Sequence, residues 1–213
     1  MADIFQEIDE ELRQDRATKL WNRYGNYVIA VAVLIVIAVG GYKYWNARDL
    51  EARQTASAAY QAAVSQAADG NVASAISALG ELARDAGGGY AVLARLRQAA
   101  LAASKGDIEG AVLAYGAVAS DDDVADALRD LARVRSVALQ VETAPAAELM
   151  ETLDGLAVVG NPWRPMALEL KGVISIKGRD TAAARALFTQ LSDDAGTPSG
   201  MRARAAEILK ALQ

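Results

Sequence analysis

The sequence predicts an all-α protein in which one N-terminal transmembrane helix is followed by an α-solenoid of helical hairpins. Three observations predict this fold class. Residues 27–42 contain no charged side chain and are mostly aliphatic. A pattern of glycine, alanine and a large apolar residue recurs along the rest of the chain. Short glycine-containing segments separate alanine-rich stretches, and alanine strongly favours helix.

Residues 24–45 are interpreted as a membrane-spanning helix that the mature protein keeps. At about 1.5 Å per residue this segment is about 33 Å long, which matches a hydrocarbon core of about 30 Å. A cleaved signal peptide is disfavoured because the preceding residues are acidic on balance and bulky residues follow the apolar run. A buried core helix is disfavoured because no face is polar. Rings that prefer the membrane interface flank the segment on both sides: Trp21, Tyr24, Tyr27, Tyr42, Tyr44 and Trp45.

The residues around the span predict its orientation and the domain organisation. Arg13, Arg16, Lys19 and Arg23 precede it, and Lys43, Arg48 and Arg53 follow at comparable distance. This small positive-inside bias predicts a cytoplasmic N-terminus. Residues 1–20 place Ile4, Phe5, Ile8 and Leu12 on one helix face, so the leader is either an amphipathic helix or a solvated extension. The predicted domains are a cytoplasmic leader (1–23), a transmembrane helix (24–45) and a helical repeat domain (46–213).

Composition excludes several classes of function. The formal net charge of −5 disfavours a nucleic-acid surface, which needs clustered basic residues. The absence of cysteine and histidine excludes disulfides, thiolate metal sites and histidine-based catalysis. A carboxylate or lysine enzyme stays compatible with the composition, but no nucleophile–base pair, metal-ligand spacing or phosphate loop is found. We therefore predict no catalytic residue, no cofactor, no metal and no small-molecule substrate.

Beyond the apolar segment the sequence predicts nine helices separated by short breakers. Gly70, Ala75 and Leu79 have the same spacing as Gly106, Ala111 and Tyr115, and as Gly178, Ala183 and Leu187, with a degenerate copy at Ala146, Met150 and Leu153. The interval from Gly70 to Gly106 is 36 residues. A period of this length is typical of tetratricopeptide-like repeats, in which the small residue lets two helices approach and the large residue fills the space between them. The predicted helices are 49–68, 72–85, 89–104, 108–119, 123–141, 146–154, 162–177, 181–193 and 199–212.

Two stretches also resemble a known family. The junction YKYWNARDLEARQTASAAYQAAV after the apolar segment, and LKGVISIKGRDTAAARALF near the C-terminus, resemble the YfgM-like, tetratricopeptide-like family of ancillary SecYEG translocon subunits. Gly172, Gly178, Asp180, Ala183 and Leu187 occupy matching places in the second stretch. The resemblance extends from about residue 20 to the end, and the long acidic leader is similar to an alphaproteobacterial branch.

The resemblance implies a single-pass bacterial inner-membrane protein with a periplasmic repeat domain. It implies association with the SecYEG translocon and with a membrane-anchored periplasmic chaperone, and assistance to protein export. From the sequence we therefore predict a membrane-tethered scaffold or chaperone-type module whose partners are the lipid bilayer and other proteins. The alternative is a structural anchor that recruits one fixed partner to an envelope or cell-division complex.

Three short motifs each have a functional and a structural interpretation. Ser120 and Asp121–Asp123 lack the spacing of a calcium loop, and we predict that they cap the helix that follows. Gly87–Gly89 lacks the strand and the Lys-Ser/Thr of a phosphate loop, so a turn between helices is predicted. Trp163, after Asn161 and Pro162, either fixes the start of a helix or is an exposed anchor for a partner.

The first helix of each hairpin predicts a binding surface. Alignment of the hairpins suggests that six residues can line the concave side as a shallow apolar groove for segments of partner proteins. The alternative is that neighbouring helices cover these residues as ordinary core. The six are Tyr60, Val64, Leu93, Leu96, Ala100 and Leu168.

Overall fold

The structure is a computed structural model that describes the backbone of residues 2–212 and the side chains of residues 21, 23–27, 29–31 and 33–212. Over that backbone the chain forms nine α-helices and no β-strand. They are α1 (Ala2–Ala68), α2 (Val72–Asp85), α3 (Gly89–Ser104), α4 (Ile108–Ala119), α5 (Asp126–Gln140), α6 (Ala146–Asp154), α7 (Arg164–Lys177), α8 (Thr181–Asp193) and α9 (Ser199–Ala211). The predicted all-α class is confirmed.

The chain divides into two compact units, Met1–Gln54 and Thr55–Gln213. Helix α1 runs without interruption through residues 46–48, where the sequence analysis left a gap, because no glycine or proline ends it there. The helix predicted to begin at residue 49 is therefore the end of α1. The amphipathic face predicted for residues 1–20 is formed by side chains that are not among the described residues.

The first unit carries a stretch that is long and apolar enough to cross a membrane, within the described range Arg23–Ala68. Only 6% of its most apolar window is buried in the protein, which is unlike a core helix. The six interface aromatics predicted from the sequence are all exposed. The guanidinium of Arg48 lies over the ring of Tyr44, with its Cζ atom 5.5 Å from the ring centroid.

The second unit is a stack of four helical hairpins closed by a ninth helix. The hairpins are residues 55–68 of α1 with α2, α3 with α4, α5 with α6, and α7 with α8. Four buried clusters follow one another along the stack, and each joins a hairpin to the helix that comes next. In the last cluster that next helix is α9, which contributes Ala205. Each hairpin therefore completes its core with its neighbour, as the stacking of a solenoid requires.

In three hairpins, residues at equivalent positions cap the start of the second helix and form its buried face. Asn71, Asp107 and Asp180 are the N-cap residues, and the side chains of Asp107 and Asp180 accept hydrogen bonds from backbone N–H groups one turn later, each at 2.9 Å. Four residues after each cap lies a fully buried alanine, and eight after it a large buried side chain. These pairs are Ala75 with Leu79, Ala111 with Tyr115, and Ala184 with Phe188.

This register corrects the last copy of the predicted repeat by one residue. Gly70 and Gly106 have positive φ angles of 87° and 88° before their caps, but the corresponding residue of the last hairpin is Arg179, with φ 61°. Gly178, which the sequence analysis chose, has φ −73°. Counting from Gly178 therefore selected Ala183 and Leu187, whereas the buried pair is Ala184 and Phe188.

The degenerate copy uses larger side chains. The N-cap of α6 is Pro145, and the two buried positions after it are Leu149 and Leu153. The predicted Leu153 is correct, whereas Met150 is only half-buried and Leu149 takes the place of the small residue. Helix α6 is also the shortest of the nine described, at nine residues.

The second helix of the last hairpin approaches the first at a glycine. A Cβ atom added to Gly172 in α7 would lie 2.7 Å from Cε2 and Cζ of the Phe188 ring. The corresponding first-helix residues of the other hairpins are Ala63, Ala99 and Val137, each buried in the cluster of its own hairpin. The fully buried Phe188 ring therefore faces the smallest of the four first-helix residues.

The acidic motif at residues 121–123 does not cap α5, which corrects the prediction. Helix α5 begins at Asp126, and its N-cap Ala125 makes no side-chain hydrogen bond. Asp121 instead pairs with Nη1 of Arg95 at 2.7 Å and accepts the Asp123 backbone N–H at 3.1 Å. The carboxylates of Asp121 and Asp122 thus bind Arg95 and Arg129, and Asp121 also closes the turn between hairpins.

Candidate functional site

The six predicted groove residues separate into two groups in the structure. Leu96 and Leu168 are 8% and 3% exposed and belong to the buried clusters, as the alternative interpretation predicts for ordinary core. Leu93 is 37% exposed. Tyr60, Val64 and Ala100 are half-buried, and the Tyr60 ring packs at 6.3 Å from that of Tyr90. A groove built from all six at once would need two core leucines at the surface.

Of the accessible residues, Leu93 and Ala100 belong to a segment that the sequence repeats. Residues 93–101 read LARLRQAAL and residues 131–139 read LARVRSVAL. The two segments occupy equivalent places on α3 and α5, the first helices of consecutive hairpins, and these helices contact each other. The spacing of glycine, alanine and the large residue follows the second helices and does not reveal this repeat, which lies on the first helices.

In each segment three positions with spacing i, i+4 and i+7 share one helix face. On α3 these are Leu93, Arg97 and Ala100, and on α5 they are Leu131, Arg135 and Ala138. Each of the six is exposed or half-buried. We call these six residues the first-helix face. It presents apolar and cationic side chains together.

The other arginine of each segment is used inside the stack. Arg95 pairs with Asp121 as described above. Arg133 donates to Asp130 at 2.6 Å and to the Ala119 carbonyl at 3.1 Å. Arg95 therefore ties α3, and Arg133 ties α5, to the C-terminal end of α4 and the residues just after it.

Trp163 takes the structural role that the sequence analysis weighed. Its backbone N–H donates to the Asn161 side chain at 2.8 Å, and its indole Nε1–H donates to the Ala127 carbonyl at 2.5 Å. Its ring packs against the cluster that joins α5, α6 and α7. The residue fixes the start of α7 against α5 and is not an isolated surface anchor.

A cleft of about 250 Å³ lies between α4, α5 and α6. Ser136 and Gln140 of α5 line it and bond to each other at 3.0 Å, and Gly116 and Thr152 lie on its sides. Among the described side chains no group of three or more His, Cys, Asp or Glu is placed to hold a metal ion. The candidate site therefore consists of the first-helix face.

Stacked hairpins of this register define a helical-repeat protein of the α-solenoid class. The chain belongs to the family with a tetratricopeptide repeat-like domain, whose model matches residues 18–208. Among curated proteins, the chain is similar to the ancillary SecYEG translocon subunit of Escherichia coli (strain K12). The two are 29% identical over 186 residues, which is 85% of each chain. No solved structure gives a significant match.

These comparisons confirm the repeat class predicted from the spacing of the glycines and alanines. The similarity to a translocon subunit agrees with the family resemblance carried by the residues after the apolar segment and near the C-terminus. The alphaproteobacterial branch suggested by the leader stays a prediction.

Proposed function

We propose that this protein is a membrane-tethered scaffold of the chaperone type that binds segments of other proteins and assists protein export at the translocon. The observation that carries the proposal is the combination of an exposed apolar helix with a hairpin stack whose first-helix face is both apolar and cationic. Binding on this face is non-covalent and needs no catalytic residue.

The apolar segment 24–45 holds the chain in the bacterial inner membrane as a single span. Its exposed aromatic flanks and its minimal burial in the protein support this role. The basic residues before the span favour a cytoplasmic N-terminus and a periplasmic repeat domain. A tether raises the effective concentration of a weak binding surface near the membrane, up to the millimolar range for a short linker.

The similarity to a protein named as an ancillary translocon subunit supports the SecYEG translocon as a partner. The family resemblance adds a membrane-anchored periplasmic chaperone as a second partner. Repeat proteins of this class present extended surfaces to other proteins, which supports a binding role over an enzymatic one. The surface residues of the predicted groove that stay accessible are Tyr60, Val64, Leu93 and Ala100.

Affinity purification of the tagged full-length chain from native membranes tests the proposed function. We compare wild type with Leu93→Asp on the first-helix face and with Leu113→Asp, whose side chain is 69% exposed on the second helix α4. Translocon components and exported proteins should co-purify with wild type and with the Leu113 variant and be depleted with the Leu93 variant. Recovery of cell-division or peptidoglycan proteins in their place would support the structural-anchor alternative and contradict the proposal.

Protease accessibility tests the orientation. In spheroplasts, added protease should degrade the repeat domain while a cytoplasmic control protein survives. Survival of both would contradict a periplasmic repeat domain.

A further inference from the structure

The cleft of about 250 Å³ between α4, α5 and α6 lies on the side of α5 that faces away from the first-helix face. Its α5 residues have the spacing i, i+3, i+4 and i+7, so they share one side of the helix. At about 100° per residue, that side is roughly opposite to the one that carries Leu131 and Arg135. The cleft is therefore separate from the surface proposed above for protein segments. Its α5 residues are Arg133, Ser136, Val137 and Gln140.

The hairpin α5–α6 leaves this space because it departs from the repeat. Where the second helices of the other three hairpins have a buried alanine, α6 has Leu149, and a larger side chain at a contact holds two helices further apart. On α4 the cleft is lined by Gly116, and a Cβ atom there would have nothing within 4 Å. The volume is below the about 300–1,000 Å³ of most small-molecule sites, so the cleft suits a short ligand.

The uncompensated charge in the cleft is negative. Arg133 lines it, but its guanidinium donates to the Asp130 carboxylate at 2.6 Å and to the Ala119 carbonyl at 3.1 Å. Glu148 also lines the cleft, is exposed, and forms no ion pair with a described side chain. Because the cation is neutralised within the chain and the carboxylate is not, the cleft favours a cationic ligand over an anionic one.

The neutral polar groups of the cleft leave acceptors open. The amide nitrogen of Gln140 donates to the backbone carbonyl of Ser136 at 3.1 Å and to its hydroxyl at 3.0 Å, so the amide oxygen Oε1 stays available as an acceptor. The Thr152 hydroxyl donates to the Glu148 carbonyl at 3.1 Å. No described residue donates to the Gln140 amide oxygen or to the Glu148 carboxylate. These acceptors come from two helices, α5 and α6, and they call for a ligand that donates.

We infer that this cleft binds a primary ammonium group on a short aliphatic chain. The ammonium donates to the Glu148 carboxylate and to the Gln140 amide oxygen. Its N–H groups point in three directions and suit acceptors from different helices, whereas a guanidinium donates within one plane. The same chemistry is carried by a free alkylamine and by the lysine side chain of another protein. The aliphatic chain packs on the apolar lining, which includes Ala119, Ala144 and Leu149.

Saturation-transfer NMR with n-butylamine tests this inference on the full-length chain in nanodiscs of neutral phosphatidylcholine. This probe has the four carbons and the ammonium group of a lysine side chain. Titration should show saturable binding, and n-butanol, which has the same chain without the charge, should bind about fivefold or more weakly. Glu148→Gln should weaken butylamine binding about five- to tenfold, because a charge-assisted hydrogen bond is lost. Empty nanodiscs measure the signal that comes from the lipid.

Matched variants separate the cleft from the rest of the surface. Gly116→Leu should abolish binding because the new side chain fills the cleft, and circular dichroism checks that its fold is retained. Ala117→Leu and Glu151→Gln make the same two changes at exposed neighbours that do not line the cleft, and both should bind as wild type does. Leu93→Asp on the first-helix face should also leave butylamine binding unchanged, so this site and the proposed protein-binding function fail separately.

A lysine peptide identifies the source of the ammonium group. Competition by acetyl-Ala-Lys-Ala-amide, but not by its all-alanine counterpart, would support the inference and assign the cleft to lysine side chains of proteins. Binding of butylamine without that competition would support it and assign the cleft to free alkylamines. Equal binding of butylamine and butanol, no saturable binding of butylamine, or wild-type binding by Glu148→Gln or by a folded Gly116→Leu would overturn it.

Discussion

The contact between Gly172 and Phe188 gives a sharp prediction of stability. In Gly172→Ala the new Cβ would lie 2.7 Å from two ring carbons of Phe188, whereas carbon atoms in contact are about 3.5–4.0 Å apart. The ring has no exposed surface and therefore has no solvent into which it can move. Overpacking of this kind costs about 1–3 kcal/mol, and the helix preference of alanine over glycine returns about 0.5–1 kcal/mol. We expect a net loss of about 1–2 kcal/mol in the free energy of unfolding.

Gly116→Ala is the matched control because it makes the same change in another helix. A Cβ at Gly116 in α4 meets nothing within 4 Å. This variant should gain about 0.5–1 kcal/mol from helix propensity alone. Urea denaturation of the full-length chain in nanodiscs, followed by circular dichroism at the helix band, compares the two variants with wild type.

The first hairpin suggests a rescue, since it pairs Ala63 with Leu79 in the equivalent places. The double variant Gly172→Ala with Phe188→Leu reproduces that pair. It should be more stable than the sum of the two single changes by about 1 kcal/mol or more, because residues in contact are coupled. A Gly172→Ala variant as stable as wild type, or a double variant that is merely additive, would refute the packing argument.

Three further predictions concern the ends of the hairpins. Arg179→Gly should raise the urea midpoint, with a gain of about 1 kcal/mol, because φ is 61° there and glycine adopts this conformation without strain; a lower midpoint would contradict the corrected register. The Gly196 backbone N–H and Arg164 hold the pKa of Asp194 below its usual value of 3.8. The ionised Asp194 carboxylate therefore contributes fully to stability above pH 3.8, and this contribution is lost as the pH falls through the lower pKa of the folded state. In Asp194→Asn the free energy of unfolding, measured with urea, should fall less steeply between about pH 5 and 2 than it does in wild type. An equally steep fall in the variant would contradict this prediction. Trp163→Phe keeps the packed ring and loses the hydrogen bond to Ala127, so unfolding should become about 1 kcal/mol easier, and a loss within 0.5 kcal/mol of zero would exclude that bond as a contributor.

Much of the fold could be predicted because local signals mark the helix ends. Gly70 and Gly106 take the left-handed conformation that ends a helix, and the caps after them start the next one, so α2, α3 and α4 lie where the sequence predicts. The starts of α5 and α7 were predicted two or three residues early. There the polar residues before each helix, such as Asp121 and Asn161, form turns of their own.

The register of the last hairpin could not be predicted from spacing. Arginine rarely takes a positive φ, so Gly178 was the natural choice in the sequence, and only the packing of Phe188 on Gly172 shows that Arg179 has that role. Which side chains of the first helices are buried could not be predicted from the sequence either. Leu93 and Leu96 are both leucines on α3, and which of them faces the core depends on the neighbouring hairpin.

A repeated sequence segment marks the arginines of the first-helix face, but an alignment based on the glycines does not detect it. The repeated LAR segments at 93 and 131 place two arginines each in the same pattern. The sequence alone does not distinguish Arg95, which pairs with Asp121, from Arg97, which forms no ion pair with a described side chain, because the difference depends on the loop after α4.

Site-specific photo-crosslinking tests the central claim, that the first-helix face binds other proteins at the membrane. A photoreactive residue at position 93, on α3, is compared with one at position 113, on the second helix α4, in the full-length chain in native membranes; both leucines are exposed. Our account predicts adducts with translocon components or exported proteins from position 93 and few or none from position 113. No adduct at 93, or equal yields at the two positions, would contradict it.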